Sequence, residues 1–181
     1  MPDPITFELT AGRLVLSFRR TRRSGIFIVH GHDHDARNDL AQFLRALGLN
    51  PIVLDQEPNE GNTVIEKFER QTRRASVAIG LLTRDDVGYP KGLPEKATPR
   101  ARQNVVFELG FFIGKLGRRK VIAIRDHDVE IPSDYQGVVY IIRDAGVDWR
   151  LRLIQELEAV GVHVKDAWRA LLERNTTGVI S

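Results

Sequence analysis

The chain of 181 residues contains no cysteine. This absence excludes disulfides, thiolate metal sites and thiol nucleophiles, and it is typical of proteins from a reducing compartment. The sequence also lacks any apolar run near the roughly 20 residues that a membrane span needs. Residues 1–24 lack the compact apolar core and small residues of a secretory signal. We therefore expect a soluble protein located in the cytoplasm.

The residues that are present favour one globular domain. Hydrophobic residues make up 42% of the chain and charged residues 28%, which is enough to bury a sizeable core. The net charge is only +3, although four arginines cluster near the start: Arg19, Arg20, Arg22 and Arg23. A solvated tail explains this cluster better than contact with nucleic acid, so no nucleic-acid partner is expected. We predict a basic arm or short β extension over residues 1–24, the main domain over 25–160, and a C-terminal helix and tail over 161–181.

Five short segments predict the strands of a parallel sheet. They are rich in β-branched residues and almost continuously apolar: "IFIV", "PIVL", "SVAIGLL", "KVIAI" and "GVVYII". Such runs indicate strands that are buried on both faces. Helical patterns lie between them, so we predict an open, flavodoxin-like α/β fold with helices on both sides of the sheet. The predicted helices run from Ala36 to Leu47, around Val64 to Thr72, over residues 101–117 and over residues 148–160.

The stretch "HGHDHD", residues 30–35, follows the first predicted strand and allows two interpretations. Three alternating histidines suggest a metal site, but further ligands could come only from His127, His163 or carboxylates, and we expect no metal. In the favoured interpretation, Asp33 or Asp35 caps the next helix, and the small Gly31 permits a tight turn. Ligands bind beyond the carboxyl ends of parallel strands, so this loop should line a binding site.

The stretch "TPRARQNVVFELGFFIGKLGRR" predicts an amphipathic helix with Thr98 as its cap and Pro99 in its first turn. Glu108 falls at the margin of its apolar stripe, beside Asn104 and Phe112. A carboxylate there could orient a ribose or stabilise positive charge on an anomeric carbon. It could equally pair with Arg102 or Arg84, and the spacing leaves both interpretations open.

Three segments carry a resemblance to a known family. "IFIVHGHD", "LTRDDVG" and "RARQNVVFELGFFIGKLGR" occur in the order and with the separations found in TIR-like domains. They resemble the TIR-like domains that act as effectors in bacterial CBASS and Pycsar antiphage systems. The resemblance covers roughly residues 25–160, and the third segment is its most specific part.

The resemblance implies a TIR fold and cleavage of the nicotinamide–ribose bond of NAD⁺, with NAD⁺ as substrate and no other cofactor. The catalytic glutamate of the family corresponds to Glu108. Many TIR NADases carry tryptophan four residues before this glutamate, where this chain has Asn104. The resemblance also implies homo-oligomers on activation and control by a cyclic-nucleotide sensor domain or protein.

The remaining substrate-binding candidates follow the first and third predicted strands. They are Gly31, His32 and Asp33 in the first loop, and Thr83, Asp85 and Asp86 in the second. Asp85 and Asp86 could equally be turn residues. Arg102 or Arg84 could hold a phosphate, or either could be only a surface charge.

Three functions remain open at this point. The leading hypothesis is an NAD⁺ glycohydrolase. The alternatives are a non-catalytic module that binds a nucleotide or a partner, and an N-glycosidase of the nucleoside deoxyribosyltransferase type.

Overall fold

The computed structural model describes residues 5–10, 13–18, 25–53, 66, 69, 72–132, 135, 137–144 and 148–165. The second predicted helix, around Val64 to Thr72, lies mostly outside these ranges, although residues 66, 69 and 72 are helical. Of the predicted C-terminal helix and tail, residues 166–181 lie outside them. Strands β1 (Ile5–Thr10) and β2 (Arg13–Phe18) pair as an antiparallel hairpin.

The central sheet has the predicted five parallel strands. They are β3 (Gly25–Val29), β4 (Asn50–Val53), β5 (Ala75–Leu82), β8 (Val121–Asp126) and β9 (Val139–Arg143). Their spatial order is β4-β3-β5-β8-β9, which is the order of flavodoxin-like folds. The chain order reverses between β3 and β5, and ligands of such sheets bind beyond the carboxyl ends of the strands at that point.

Helices cover both faces of this sheet, as predicted. On one face, α1 (His34–Ala46) and α3 (Asp148–Ala159) bury side chains such as Leu40, Leu44 and Leu153 against the even-numbered residues of β3. On the other face, α2 (Gln103–Leu116) buries Val105, Leu109 and Phe112. No helix in the described part of the chain is long and apolar enough to cross a membrane.

The predicted start of the third helix is wrong. Residues Thr98–Arg100 form strand β7, which pairs antiparallel with β6 (Asp86–Gly88), and α2 begins only at Gln103. Thr98 therefore does not cap the helix, and its hydroxyl donates to the Glu130 carboxylate at 2.8 Å instead. The cap position is held by Arg102, whose side chain makes no capping bond.

Close packing between α2 and β5 fixes the position of this helix. A Cβ atom on Gly80 of β5 would lie 2.5 Å from Leu109 Cδ2, so the absence of a side chain lets the helix approach the sheet. The Phe112 ring also lies 4.8 Å from the Phe27 ring of β3, centroid to centroid. Helix α2 therefore packs over β3 and β5, the two neighbouring strands between which the chain order reverses.

Candidate functional site

Glu108 lies on the flank of α2 that turns toward β3. Phe112, one turn further along, contacts Phe27 of that strand. Arg102, just before the helix, reaches His32 in the loop after the same strand. Lys115, two turns beyond Glu108, donates to the Thr72 hydroxyl in the segment before β5. Glu108 is therefore placed beside the reversal point, on the margin of the apolar stripe where its spacing had put it.

The Glu108 carboxyl is partly buried, and burial raises its pKa to about 7. Among the described residues, no ion pair or hydrogen bond involves this carboxyl. The two arginines that could have neutralised it are engaged elsewhere. Arg84 pairs with Asp128 at 2.6 Å, and Arg102 donates to the His32 ring at 2.6 Å. The interpretation of Glu108 as half of a structural ion pair with Arg84 or Arg102 is thus wrong.

Both carboxylate oxygens of Asp33, in the loop after β3, are engaged within the protein. Asp33 caps α1, because its Oδ1 accepts the Ala36 N–H at 2.8 Å. Its Oδ2 pairs with Arg143 at 3.2 Å, and Arg143 also holds Asp126. Burial opposes the Asp33 charge, but the bonds from Ala36 and Arg143 outweigh it and lower the pKa. The predicted cap is confirmed, and the carboxylate is already engaged by two partners.

The predicted residues of the two loops are partly brought together. Asp85 accepts hydrogen bonds from the His32 N–H at 3.0 Å and from the Thr83 hydroxyl at 2.8 Å. It also packs against Gly31, where a Cβ would lie 1.8 Å from its Oδ2. Asp86 is exposed on β6 and takes no part in this cluster. Gly31 has no positive φ, so the contact with Asp85 explains the glycine better than a tight turn does.

Two features at this edge were not predicted from the sequence. His30 is half-buried, its ring Nδ1 lies 2.8 Å from the Gly31 carbonyl oxygen, and burial lowers its pKa. A neutral ring at this place adds no charge to this edge of the sheet. Arg143 joins the ends of β8 and β9 to the α1 cap, across more than 100 residues of sequence, and no local pattern signals such a contact.

A cavity of about 340 Å³ lies on the other flank of α2. It is lined by Arg100, Ala101, Gln103, Val106, Glu130 and Pro132. Val106 and Glu108 are two positions apart, so they point about 200° apart around the helix axis. In the described part of the chain, no three His, Asp or Glu side chains are grouped closely enough to hold a metal ion.

The strand order and the placement of the helices define a flavodoxin-like α/β domain whose chain order reverses between β3 and β5. The chain belongs to the family described as CAP12/Pycsar effector protein, TIR domain, whose model matches residues 25–145.

Similar proteins agree with this assignment. The uncharacterized protein YuaY of Escherichia coli strain K12 is 48% identical over 145 residues, which are 80% of this chain and 48% of YuaY. The Pycsar effector protein BcPycTIR of Burkholderia cepacia is 38% identical over 109 residues, 56% of this chain and 35% of that protein. The chain thus spans about half the length of YuaY and about a third of BcPycTIR.

A solved 2-deoxyribosyltransferase from Bacillus psychrosaccharolyticus superposes on the chain with a TM-score of 0.51. The two are 13% identical, and the match covers 78% of this chain and 99% of the enzyme. At this identity the similarity concerns the fold alone.

Proposed function

We propose that this TIR domain cleaves the nicotinamide–ribose bond of NAD⁺, with Glu108 as the catalytic carboxylate. The observation that carries the proposal is the state of Glu108: a half-buried carboxyl beside the reversal point of the sheet, with no charged partner among the described residues. A carboxyl that is desolvated without a structural partner is a strong candidate for a functional group.

The reaction needs little more than a positioned negative charge. Nicotinamide leaves as a neutral molecule from a cationic N-glycoside, so no strong general acid is required. A carboxylate near the anomeric carbon and the ribose hydroxyls stabilises the positive charge that develops on the sugar as the bond breaks. Water then adds to this carbon and yields ADP-ribose, or an intramolecular attack yields a cyclic product.

The raised pKa of Glu108 is compatible with this task. With a pKa of about 7, roughly half of the molecules carry the ionised carboxylate at neutral pH. The positive nicotinamide ring of the bound substrate favours the ionised form, because an opposite charge within a few ångströms lowers a carboxyl pKa. Substrate binding would therefore create the catalytic charge at the place where it is used.

Arg102 is the better of the two predicted phosphate-binding arginines. Arg84, Arg100 and Arg143 each pair with a carboxylate, whereas Arg102 contacts only the His32 ring among the described residues. A guanidinium without a carboxylate partner keeps its charge available for the pyrophosphate. In this proposal Asn104, which is exposed and one turn from Glu108, contacts the nicotinamide side of the substrate.

We assign the activity to a role in antiphage defence, because the matching family is one of Pycsar effectors. In this proposal several copies assemble on activation, and a cyclic-nucleotide sensor controls the assembly. The sensor is either a further domain of a longer chain or a separate protein.

The test compares two N-glycoside substrates. Concentrated protein is incubated with NAD⁺ and, separately, with a 2′-deoxynucleoside and a free base, and the released bases are separated by chromatography. We expect nicotinamide release without base exchange. Base exchange alone would favour the deoxyribosyltransferase alternative, and binding of NAD⁺ without either reaction would favour a non-catalytic module.

A further inference from the structure

Asp85 is fully engaged within the protein. Its Oδ1 accepts the backbone N–H of His32, and its Oδ2 accepts the hydroxyl of Thr83. The first bond spans 53 positions of sequence and joins the end of β5 to the loop after β3. A carboxylate that holds a backbone amide of a neighbouring loop is well placed to set the position of that loop.

Gly31 provides the space for this contact. Its missing side chain leaves room for the Asp85 carboxylate, because an added Cβ would lie 1.8 Å from Oδ2 and 2.7 Å from Cγ. No real Cβ contact is that short, so even alanine at position 31 would displace Asp85 or the loop. The position of the Asp85 carboxylate therefore requires glycine at position 31.

The His32 side chain in turn contacts Arg102. The guanidinium Nη1 of Arg102 lies 2.6 Å from His32 Nε2. Since arginine can only donate, the ring must accept at Nε2 and carry its proton on Nδ1. This bond uses one of the five N–H donors of Arg102, so the remaining donors are available to an anion.

We propose that Asp85 is a positioning residue that acts through His32 on Arg102, and thereby sets how tightly the site holds the pyrophosphate of a dinucleotide. This inference rests on the proposed function. Asp85 holds the His32 backbone, the His32 ring orients the Arg102 guanidinium, and Arg102 contacts the substrate. Asp85 itself touches no substrate, which revises its expected role as a binding residue.

The experiment compares NAD⁺ with nicotinamide riboside, which has the same scissile bond but no phosphate. Asp85→Asn keeps the shape of the side chain and loses its charge. We expect the KM for NAD⁺ to rise about tenfold, the usual size of one lost charge-assisted contact. The kcat for NAD⁺ and the KM for nicotinamide riboside should both stay within about twofold, since Glu108 is not moved.

Two further variants make the comparison specific. Arg102→Ala should raise the KM for NAD⁺ at least as much, and adding Asp85→Asn to it should cause no further rise, because the two residues act in one chain of contacts. Asp148→Asn removes an equal charge from an exposed position at the start of α3 and should leave the KM for both substrates unchanged. An equal loss with both substrates, or additive effects of the two variants, would overturn the proposal.

The close contact between Gly31 and Asp85 offers an independent check. Gly31→Ala should weaken NAD⁺ binding, whereas Gly31→Ala combined with Asp85→Ala should be no worse than Asp85→Ala alone. If the wild-type protein releases no nicotinamide, the proposed function fails, and the inference is then judged by the Kd for NAD⁺. Absence of NAD⁺ binding, or equal Kd values for wild type and Asp85→Asn, would refute it.

Discussion

At the scale of single residues, the proposed reaction depends on the ionisation of Glu108. Its pKa of about 7 in the folded protein is well above the 4.5 of an ordinary glutamate. In the proposed mechanism, the free protein is active only when this group is ionised. We therefore predict that kcat/KM for NAD⁺ rises with pH through an inflection near 7 and levels off above about 8.

The kcat profile should show its inflection at a lower pH, because kcat reports the substrate complex and the cationic nicotinamide lowers the carboxyl pKa. Initial rates of nicotinamide release between pH 5 and 9 check both curves. Identical inflections in the two profiles would show that the substrate charge does not reach Glu108.

The same carboxyl makes a prediction for stability that does not depend on catalysis. The folded-state pKa is raised above the unfolded value, so between pH 4.5 and 7 the folded protein binds the extra proton. Stability must then fall as the pH rises through this window, because the ionised carboxyl stays partly buried. We expect Glu108→Gln, which cannot ionise, to melt about 2–4 °C above wild type at pH 8.

At pH 5 the two proteins should melt at nearly the same temperature. Calorimetry of both proteins at the two pH values measures the difference. A variant that is less stable than wild type at pH 8 would mean that Glu108 has a stabilising partner.

At the scale of elements, the site depends on the contact between α2 and β5. Gly80→Ala would place a Cβ 2.5 Å from Leu109, which is next to Glu108 in sequence. We expect a loss of about 1–3 kcal/mol in the free energy of unfolding, as for other overpacked cores, together with a fall in kcat. Urea denaturation and initial rates check both effects.

Gly114→Ala on the same helix is the matched control. No atom lies within 4 Å of an added Cβ at this position. Replacing a glycine inside a helix should then stabilise the protein by up to about 1 kcal/mol. If Gly80→Ala behaved like this control, the helix would not be held by close packing against β5.

The elements also show what local sequence patterns can and cannot predict. The parallel strands were predictable because each is a short, continuous run of buried apolar residues, and the Asp33 cap because it acts within one turn of its own helix. The start of α2 was mispredicted because Thr98–Arg100 pairs with strand β6, whose residues lie 10 to 14 positions earlier. That pairing leaves no periodic signal in so short a segment.

In the candidate site, too, features that are local in sequence were predictable, and contacts between distant segments were not. Glu108 was identifiable from helical spacing and from a long family segment. Its lack of an ionic partner was not predictable, since Arg84 is held by Asp128 and Arg102 by His32, at separations of 44 and 70 residues. The contact of Asp85 with Gly31 is likewise a property of two loops that only the folded sheet brings together.

At the scale of the whole molecule, the described residues form two apolar cores, which extend slightly beyond the predicted main domain of residues 25–160. Their buried residues run from Ile26 to Val162, on the two faces of one sheet. We therefore predict that a fragment of residues 25–165 unfolds in a single cooperative transition, with a Tm within about 5 °C of the full chain. Calorimetry of both chains tests this, and a broad or absent transition in the fragment would show that residues outside the range complete a core.

The most direct measurement of the central claim is the rate of nicotinamide release by Glu108→Gln relative to wild type. Both proteins are compared at the same high concentration, after their melting curves have shown that both are folded. Loss of a catalytic carboxylate should lower the rate by about 100-fold to 10,000-fold, because the amide cannot supply the negative charge that the breaking bond requires. A Glu108→Gln protein that releases nicotinamide as fast as wild type would contradict the account.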